Sequence, residues 1–157
     1  MTLPAQPLEL KIPPVAVGLL TAGLMGLTAW RLPSLTFALP GRAFAAGGLA
    51  VAGAVVSVLG VASFRRARTT VNPMTPGSAT SLVTAGIYRW TRNPMYLGFL
   101  LILCGLAYYL SNALAAVLLP GFALYITRFQ IRPEEKALEA RFGPEFAAYR
   151  GRVRRWI

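Results

Sequence analysis

The segment PMYLGFLLILCGLAYYLSNALAAVLLPGFALYIT, residues 94–127, decides the fold of this chain. It holds two charge-free apolar runs, 94–110 and 113–127, parted only by Ser111-Asn112. Two polar residues suffice to reverse a chain. The runs therefore read as an antiparallel helical hairpin in a bilayer, where a helix satisfies its backbone groups internally. The second run continues through Arg128-Phe129-Gln130-Ile131, which gives it the length of a span; a single re-entrant hairpin is the alternative. Outward from the hairpin, residues 12–30 and 43–64 carry no charge, and each reaches the roughly 20 residues that cross the hydrocarbon. The expected fold is an all-α integral membrane protein in a single domain, with about four transmembrane helices over 12–30, 43–64, 94–110 and 113–131. Residues 65–93 form a cytoplasmic loop, and 132–157 a cytoplasmic interfacial tail of amphipathic helices.

Composition points the same way. Hydrophobic residues are 55% of the chain and charged residues 13%, against roughly 25% charged residues in soluble domains. Thirteen of the sixteen basic residues lie in 65–93 or after residue 127, which places those regions, and both termini, on the cytoplasmic side of a multi-pass protein. The net charge of +11 is then a topology signal plus attraction to anionic lipid, worth about 1 kcal/mol per residue near the surface. Nucleic acid is not an expected partner, because no soluble domain remains to bind it. Residues 1–11 hold prolines and Glu9 rather than a basic leader, so the first span is expected to stay in the mature protein. Cys104 sits mid-run as a small apolar filler. Gly18, Ala22 and Gly26, and likewise Ala46, Ala50 and Ala54, recur every four residues, so each helix is expected to offer a face for close backbone approach. Oligomeric state stays open.

Turn signals punctuate the loop at Asn72-Pro73, Thr75-Pro76-Gly77-Ser78 and Gly86. Pro133, followed by Glu134 and Glu135, reads as the first turn of a new helix. Gly143-Pro144 ends that helix and opens a short one, where aromatic residues interleave with Arg150, Arg152, Arg154 and Arg155 as in an interfacial segment. Trp90 and Trp156 read as interfacial anchors.

Absences narrow the chemistry. The chain has no His and no Asp, and its acids are Glu9, Glu134, Glu135, Glu139 and Glu145. Histidine-based triads and histidine metal sites are excluded, no metal site is expected, and no Walker or Rossmann loop is present. A reaction here has to rest on positioning and a reactive cofactor. Two polar clusters remain, 84–98 and 128–135. They flank the hairpin and so meet at one membrane edge, where Glu134 or Glu135 can pair with Arg92, Arg128 or Arg132. A structural ion-pair cluster is the plain reading of that meeting.

The run Thr84-x-Gly86-x-Tyr88-x-x-x-Arg92-Asn93-Pro94-x-Tyr96-x-Gly98 resembles the signature of membrane methyltransferases related to isoprenylcysteine carboxyl methyltransferase and the phospholipid methyltransferases. The tail, Pro133-Glu134-Glu135-x-x-Leu138-x-x-x-Phe142-Gly143 with Tyr149, resembles the same family, as does Asn72-Pro73. The resemblance covers roughly residues 70–157. It implies a small helical membrane bundle that binds S-adenosylmethionine beneath the cytoplasmic surface and transfers its methyl group to a lipid or small amphiphilic acceptor from the bilayer. Carried over by motif, the cofactor residues are Gly86, Tyr88, Arg92, Asn93, Pro94, Tyr96, Gly98, Glu134 and Glu135; the catalytic candidates are Glu135 and, outside the motifs, Arg128, which is placed to neutralise an anionic substrate.

The roles implied are a carboxylate partner at Arg92 or Asn93, a ribose or ammonium acceptor at Glu134 or Glu135, and an aromatic face at Tyr88 or Tyr96. Many family members have His where this chain has Asn93. The asparagine form resembles small bacterial relatives of unassigned substrate, which implies an inner-membrane location. Two other classes stand beside this one: a membrane NADPH-dependent reductase of the sterol-reductase type, and a non-enzymatic lipid-binding protein.

Overall fold

The computed structural model describes residues 9–69 and 74–157, and every regular element in them is helical. Six α-helices succeed one another: α1 Pro14–Arg31, α2 Arg42–Arg66, α3 Pro94–Leu110, α4 Ala113–Ile126, α5 Arg132–Phe142 and α6 Pro144–Arg152. Proline opens α1, α3 and α6, where its fixed φ suits the first turn and its missing N–H leaves no bond unmade. The Asn72-Pro73 turn expected from the sequence lies outside the described residues.

The hairpin turns on its polar pair. Ser111 takes the left-handed conformation (φ 49°) that reverses the chain. Asn112 caps α4, its Oδ1 accepting from the amides of Leu114 and Ala115 at 3.1 and 3.2 Å. Its Nδ2 donates to Leu32 O at 2.9 Å and Thr36 Oγ1 at 3.1 Å, which ties the hairpin to the α1–α2 connection.

Helices α2 and α3 approach almost backbone to backbone. A Cβ on Gly53 would stand 2.5 Å from Gly98 O, and one on Gly105 would stand 2.8 Å from Ala46 O. The small face of α2 thus runs through Ala46, Ala50, Gly53, Ser57 and Gly60, with Gly53 rather than the expected Ala54, which is exposed. The matching expectation for α1 needs correcting. A Cβ on Gly18 or Gly26 would meet nothing within 4 Å. Instead α1 buries Val17, Thr21 and Met25, and contacts α3 and α4 through larger side chains.

Helix α4 does not stop before Pro133, as the sequence suggests. A π-helical turn, Thr127–Ile131, joins it to α5 in one 30-residue helix, Ala113–Phe142. Pro133 has no N–H to donate, so the hydrogen-bond register shifts where it would have paired, and the helix continues.

By length and composition, α2 (25 residues) and the Ala113–Phe142 helix are able to cross a bilayer. The helices α1 and α3, at 18 and 17 residues, are shorter. Length and composition by themselves therefore identify two of the four expected spans. Only 11% of the most apolar window of α2 is buried, and 28% of the other. A soluble core helix would be mostly buried, whereas here Val51, Val58, Val117 and Leu124 all point outward.

Two apolar clusters organise the interior. The larger joins Val17 and Met25 to Tyr96, Leu103, Phe122, Ile126 and Ile131 within the bundle. The smaller gathers Val83, Tyr88, Phe146 and Tyr149 under α6. The candidate site lies between them.

Candidate functional site

A cavity opens between the end of α2, the start of α3, and α5 and α6. Its polar lining is Ser81, Tyr88, Arg92, Asn93, Tyr96, Glu134, Glu135 and Tyr149, and Phe64 and Phe146 are among its apolar walls. Tyr88 stands on a 3-10 turn, Gly86–Arg89, which Gly86 enters with φ 63°, a conformation that glycine adopts freely. The Tyr88 ring meets Phe64 edge-on at 5.3 Å, and its carbonyl accepts from Tyr149 Oη at 2.8 Å. Burial, with Tyr149 and Glu134 adding to it, pushes the Tyr88 phenol far up, so it stays neutral.

Glu135 is held between two guanidinium groups. Arg92 Nη2 donates to its Oε1 at 2.7 Å, while Arg155 Nε and Nη2 donate to Oε1 and Oε2 at 3.1 and 2.6 Å. Burial acts to raise the Glu135 carboxyl, but the Arg155 and Arg92 hydrogen bonds and charges outweigh it and hold the group below its usual range. A carboxylate so held is a poor base.

Arg92 is further fixed by Nη1 donating to Arg150 O at 3.0 Å and Val153 O at 2.8 Å. Its Nε is buried and has no hydrogen-bond partner among the described residues.

Glu134 is different. It follows the apolar part of its helix and is partly buried. Its Oε1 accepts from Tyr96 Oη in a short hydrogen bond and from Gln130 Nε2 at 2.8 Å, and both partners are neutral. Burial pushes its pKa up to about 7, against the lowering effect of those two bonds. The site thus presents two guanidiniums on one carboxylate, a net single positive charge, next in sequence to a carboxylate that has no ion pair among the described residues. A ligand carrying both a carboxylate and an ammonium matches that pairing.

The donor set therefore fits the amino-acid end of S-adenosylmethionine, and the aromatic walls suit an adenine or a sulfonium. The cavity measures about 80 Å³. Ligand pockets run from about 300 Å³, so a molecule of that size enters only as lining groups move aside.

The other sequence candidates fall elsewhere. Gly98 faces α2, where a Cβ would stand 2.0 Å from Ser57 Oγ, so it is a helix-contact residue rather than part of the cavity wall. Pro94 packs toward Gly60 of α2, and Gly86 supplies the turn beneath Tyr88. Arg128 pairs with Glu9 at 3.2 Å and does not line the cavity. Asn93 spends its amide on the carbonyl of Arg155 at 2.9 Å.

Sequence reasoning missed Gln130 and Arg155. Gln130 precedes Glu134 by four residues, and that spacing on a helix was a usable signal. Arg155 had no local signal among the neighbouring arginines. Trp156, expected as an interfacial anchor, donates its indole N–H to Thr127 Oγ1 at 3.1 Å and fastens the tail to the π-helical turn.

The phospholipid methyltransferase profile matches residues 42–145. The chain belongs to the phospholipid methyltransferase family. Among relatives of the family member described here, an uncharacterized protein of Haemophilus influenzae is 46% identical over 63 residues, 40% of this chain and all of that protein. The protein-S-isoprenylcysteine O-methyltransferase of Saccharomyces cerevisiae is 37% identical over 75 residues, 46% of this chain and 30% of the enzyme. That of Homo sapiens is 36% identical over 76 residues, 46% of this chain and 26% of the enzyme. The chain thus spans less than a third of these two enzymes. No solved structure matches it. The family match includes the residues from Tyr88 to Glu135 but ends before Phe146, Tyr149 and Arg155.

Proposed function

We propose that this chain is a membrane methyltransferase that takes S-adenosylmethionine as methyl donor and methylates a lipid or small amphiphile at the cytoplasmic face. The observation that carries this reading is the charge pairing of the cavity: the Arg92–Glu135–Arg155 cluster with one uncompensated positive charge, beside Glu134 with its neutral partners. Family membership and the two isoprenylcysteine methyltransferase relatives support the same class.

Arg92 holds the donor carboxylate through the side that Glu135 leaves free, and Glu134 takes the ammonium. Tyr88 and the ring walls enclose the adenosyl part and keep water out. The bound donor supplies an activated methyl group, so the task of the chain is alignment of an acceptor against it.

Four spans with both termini in the cytoplasm complete the proposal, in an inner membrane of bacterial type. The outward-facing Leu19 and Leu20 of α1 support its contact with lipid. The clustering of basic residues after α2 and α4 supports the orientation.

The test is equilibrium binding of methyl-labelled donor to the purified protein, followed by incubation with a lipid extract. Saturable binding and a labelled lipid-soluble product are expected. Stabilisation by NADPH instead would favour a reductase, and no response to either cofactor would favour a non-enzymatic membrane protein.

A further inference from the structure

We propose that Arg155, beyond the family match, is a positioning residue that sets the charge of the donor site, keeping Arg92 free to bind an anionic group. This rests on the function proposed above, since that group is the donor carboxylate.

An Arg92–Glu135 pair by itself is neutral, and its guanidinium would offer little to a second carboxylate. Arg155 changes the count. Its Nε and Nη2 engage both carboxylate oxygens at 3.1 and 2.6 Å in the fork geometry of a bidentate pair. Two cations then share one anion.

The surplus charge falls on the inner partner. The Arg92 side chain is 9% exposed, against 34% for Arg155, so water screens Arg155 while Arg92 faces the cavity with an unpartnered Nε. The main-chain carbonyls that bind Arg92 Nη1 hold its orientation without neutralising it.

The tail is also fixed in place. Arg92 N donates to Arg154 O at 3.0 Å, Asn93 Nδ2 donates to Arg155 O, and the Trp156 indole is bound at Thr127. Arg155 is thus anchored by its own backbone on one side and by Glu135 on the other. Its role is to occupy Glu135, not to touch the donor.

Charge accounting supplies a test that separates this role from simple support of the fold. Arg155→Gln leaves Arg92 neutralised by Glu135, so the dissociation constant for S-adenosylmethionine rises about tenfold, while kcat at saturating donor changes little. Removing the carboxylate as well, in Glu135→Gln/Arg155→Gln, returns Arg92 to a free positive charge, and affinity recovers relative to Arg155→Gln alone. Arg155→Lys keeps the charge and stays near native affinity. Thermal unfolding of each ligand-free variant confirms that it is folded. If Arg155 only braced the tail, the double variant, with still fewer bonds, would bind no better than the single one, and that result overturns the proposal. Native protein that binds donor, with Arg155→Gln unchanged, overturns it alone. Native protein that binds no donor overturns the functional reading and this one with it.

Discussion

Asn93 donates its side-chain amide to the carbonyl of Arg155 at 2.9 Å, joining the residue before α3 to the tail 62 positions later. The same carbonyl accepts from Thr91 Oγ1 at 3.4 Å. Both groups are buried, so the amide works as a tether for the tail rather than as a free ligand to a cofactor. Asn93→Asp keeps the volume but sets a carboxylate oxygen against a carbonyl, which costs about 1–3 kcal/mol. A lower Tm is expected, and donor affinity should weaken with it as the tail loosens. An Asn93→Asp protein with native Tm would rule out the tether.

Glu134 gives the pH dependence its sign. Its pKa is about 7 in the folded chain against an ordinary 4.5. Between those values the folded protein retains a proton that the unfolded chain has lost, so stability falls as pH rises across that window. Glu135 acts oppositely: its lowered pKa contributes stability above its ordinary value, lost as pH falls through the folded one. The Tm of ligand-free protein is therefore expected to fall from pH 5 to pH 7.5, and Glu134→Gln to lose that slope. Donor binding should run the other way. An ammonium beside Glu134 favours its ionised form, so affinity rises from pH 5 toward pH 7 by up to about tenfold per unit and levels off above it, and Glu134→Gln flattens the profile. Titrations of Tm and of the donor dissociation constant against pH, in both proteins, check the two signs.

Much of the architecture was readable because it is local. Charge-free runs and a polar Ser111-Asn112 break mark helices and their reversal wherever they occur, and the Gly143-Pro144 junction is equally self-contained. The stretch 84–98 and the Glu134-Glu135 pair were legible for the same reason, since each cluster is contiguous. Arg155 was not legible: its partners lie across the α5–α6 junction and at the start of α3, and it is one arginine among several in the tail. The stripes Gly18-Ala22-Gly26 and Ala46-Ala50-Ala54 look alike in sequence, yet Gly18 and Gly26 face open space while Ala46 and Ala50 lie against Gly105, because which helix lies opposite is settled by the whole bundle. The π-helical turn was invisible for a related reason. Pro133 reads in sequence as the start of a new helix, and only the folded chain shows the preceding helix continuing through it.

Gly98 belongs to the helix contact, and that gives it a clear signature. In Gly98→Ala the new Cβ would lie 2.0 Å from Ser57 Oγ and 2.4 Å from Gly53 O. A side-chain hydroxyl can rotate away, but a helix backbone cannot, so α2 and α3 must separate. Overpacking of this kind costs about 1–3 kcal/mol or more. Adding Ser57→Gly should not rescue the variant, because the Gly53 carbonyl remains in place. Gly18→Ala and Gly26→Ala, with open space around each Cβ, should unfold at the native temperature. Thermal unfolding of the four proteins in one detergent decides the matter.

Arg128 separates the geometry from the sequence reading most sharply, because its place beside the glutamate pair made it a catalytic candidate although it lies in neither motif. The structure pairs it with Glu9 at 3.2 Å, and 37% of its side chain is exposed. Its guanidinium also lies 5.6 Å from the Phe129 ring centroid. A partly exposed pair of this kind is worth about 1 kcal/mol or less. Arg128→Ala is therefore expected to shift donor affinity less than about twofold and to lower stability only slightly, whereas Arg92→Ala abolishes binding. Equilibrium binding of labelled donor to both variants gives the comparison. A loss of binding in Arg128→Ala equal to that in Arg92→Ala would mean that the donor reaches past Glu134 to the rim of the bundle, and the site would have to be redrawn around Arg128.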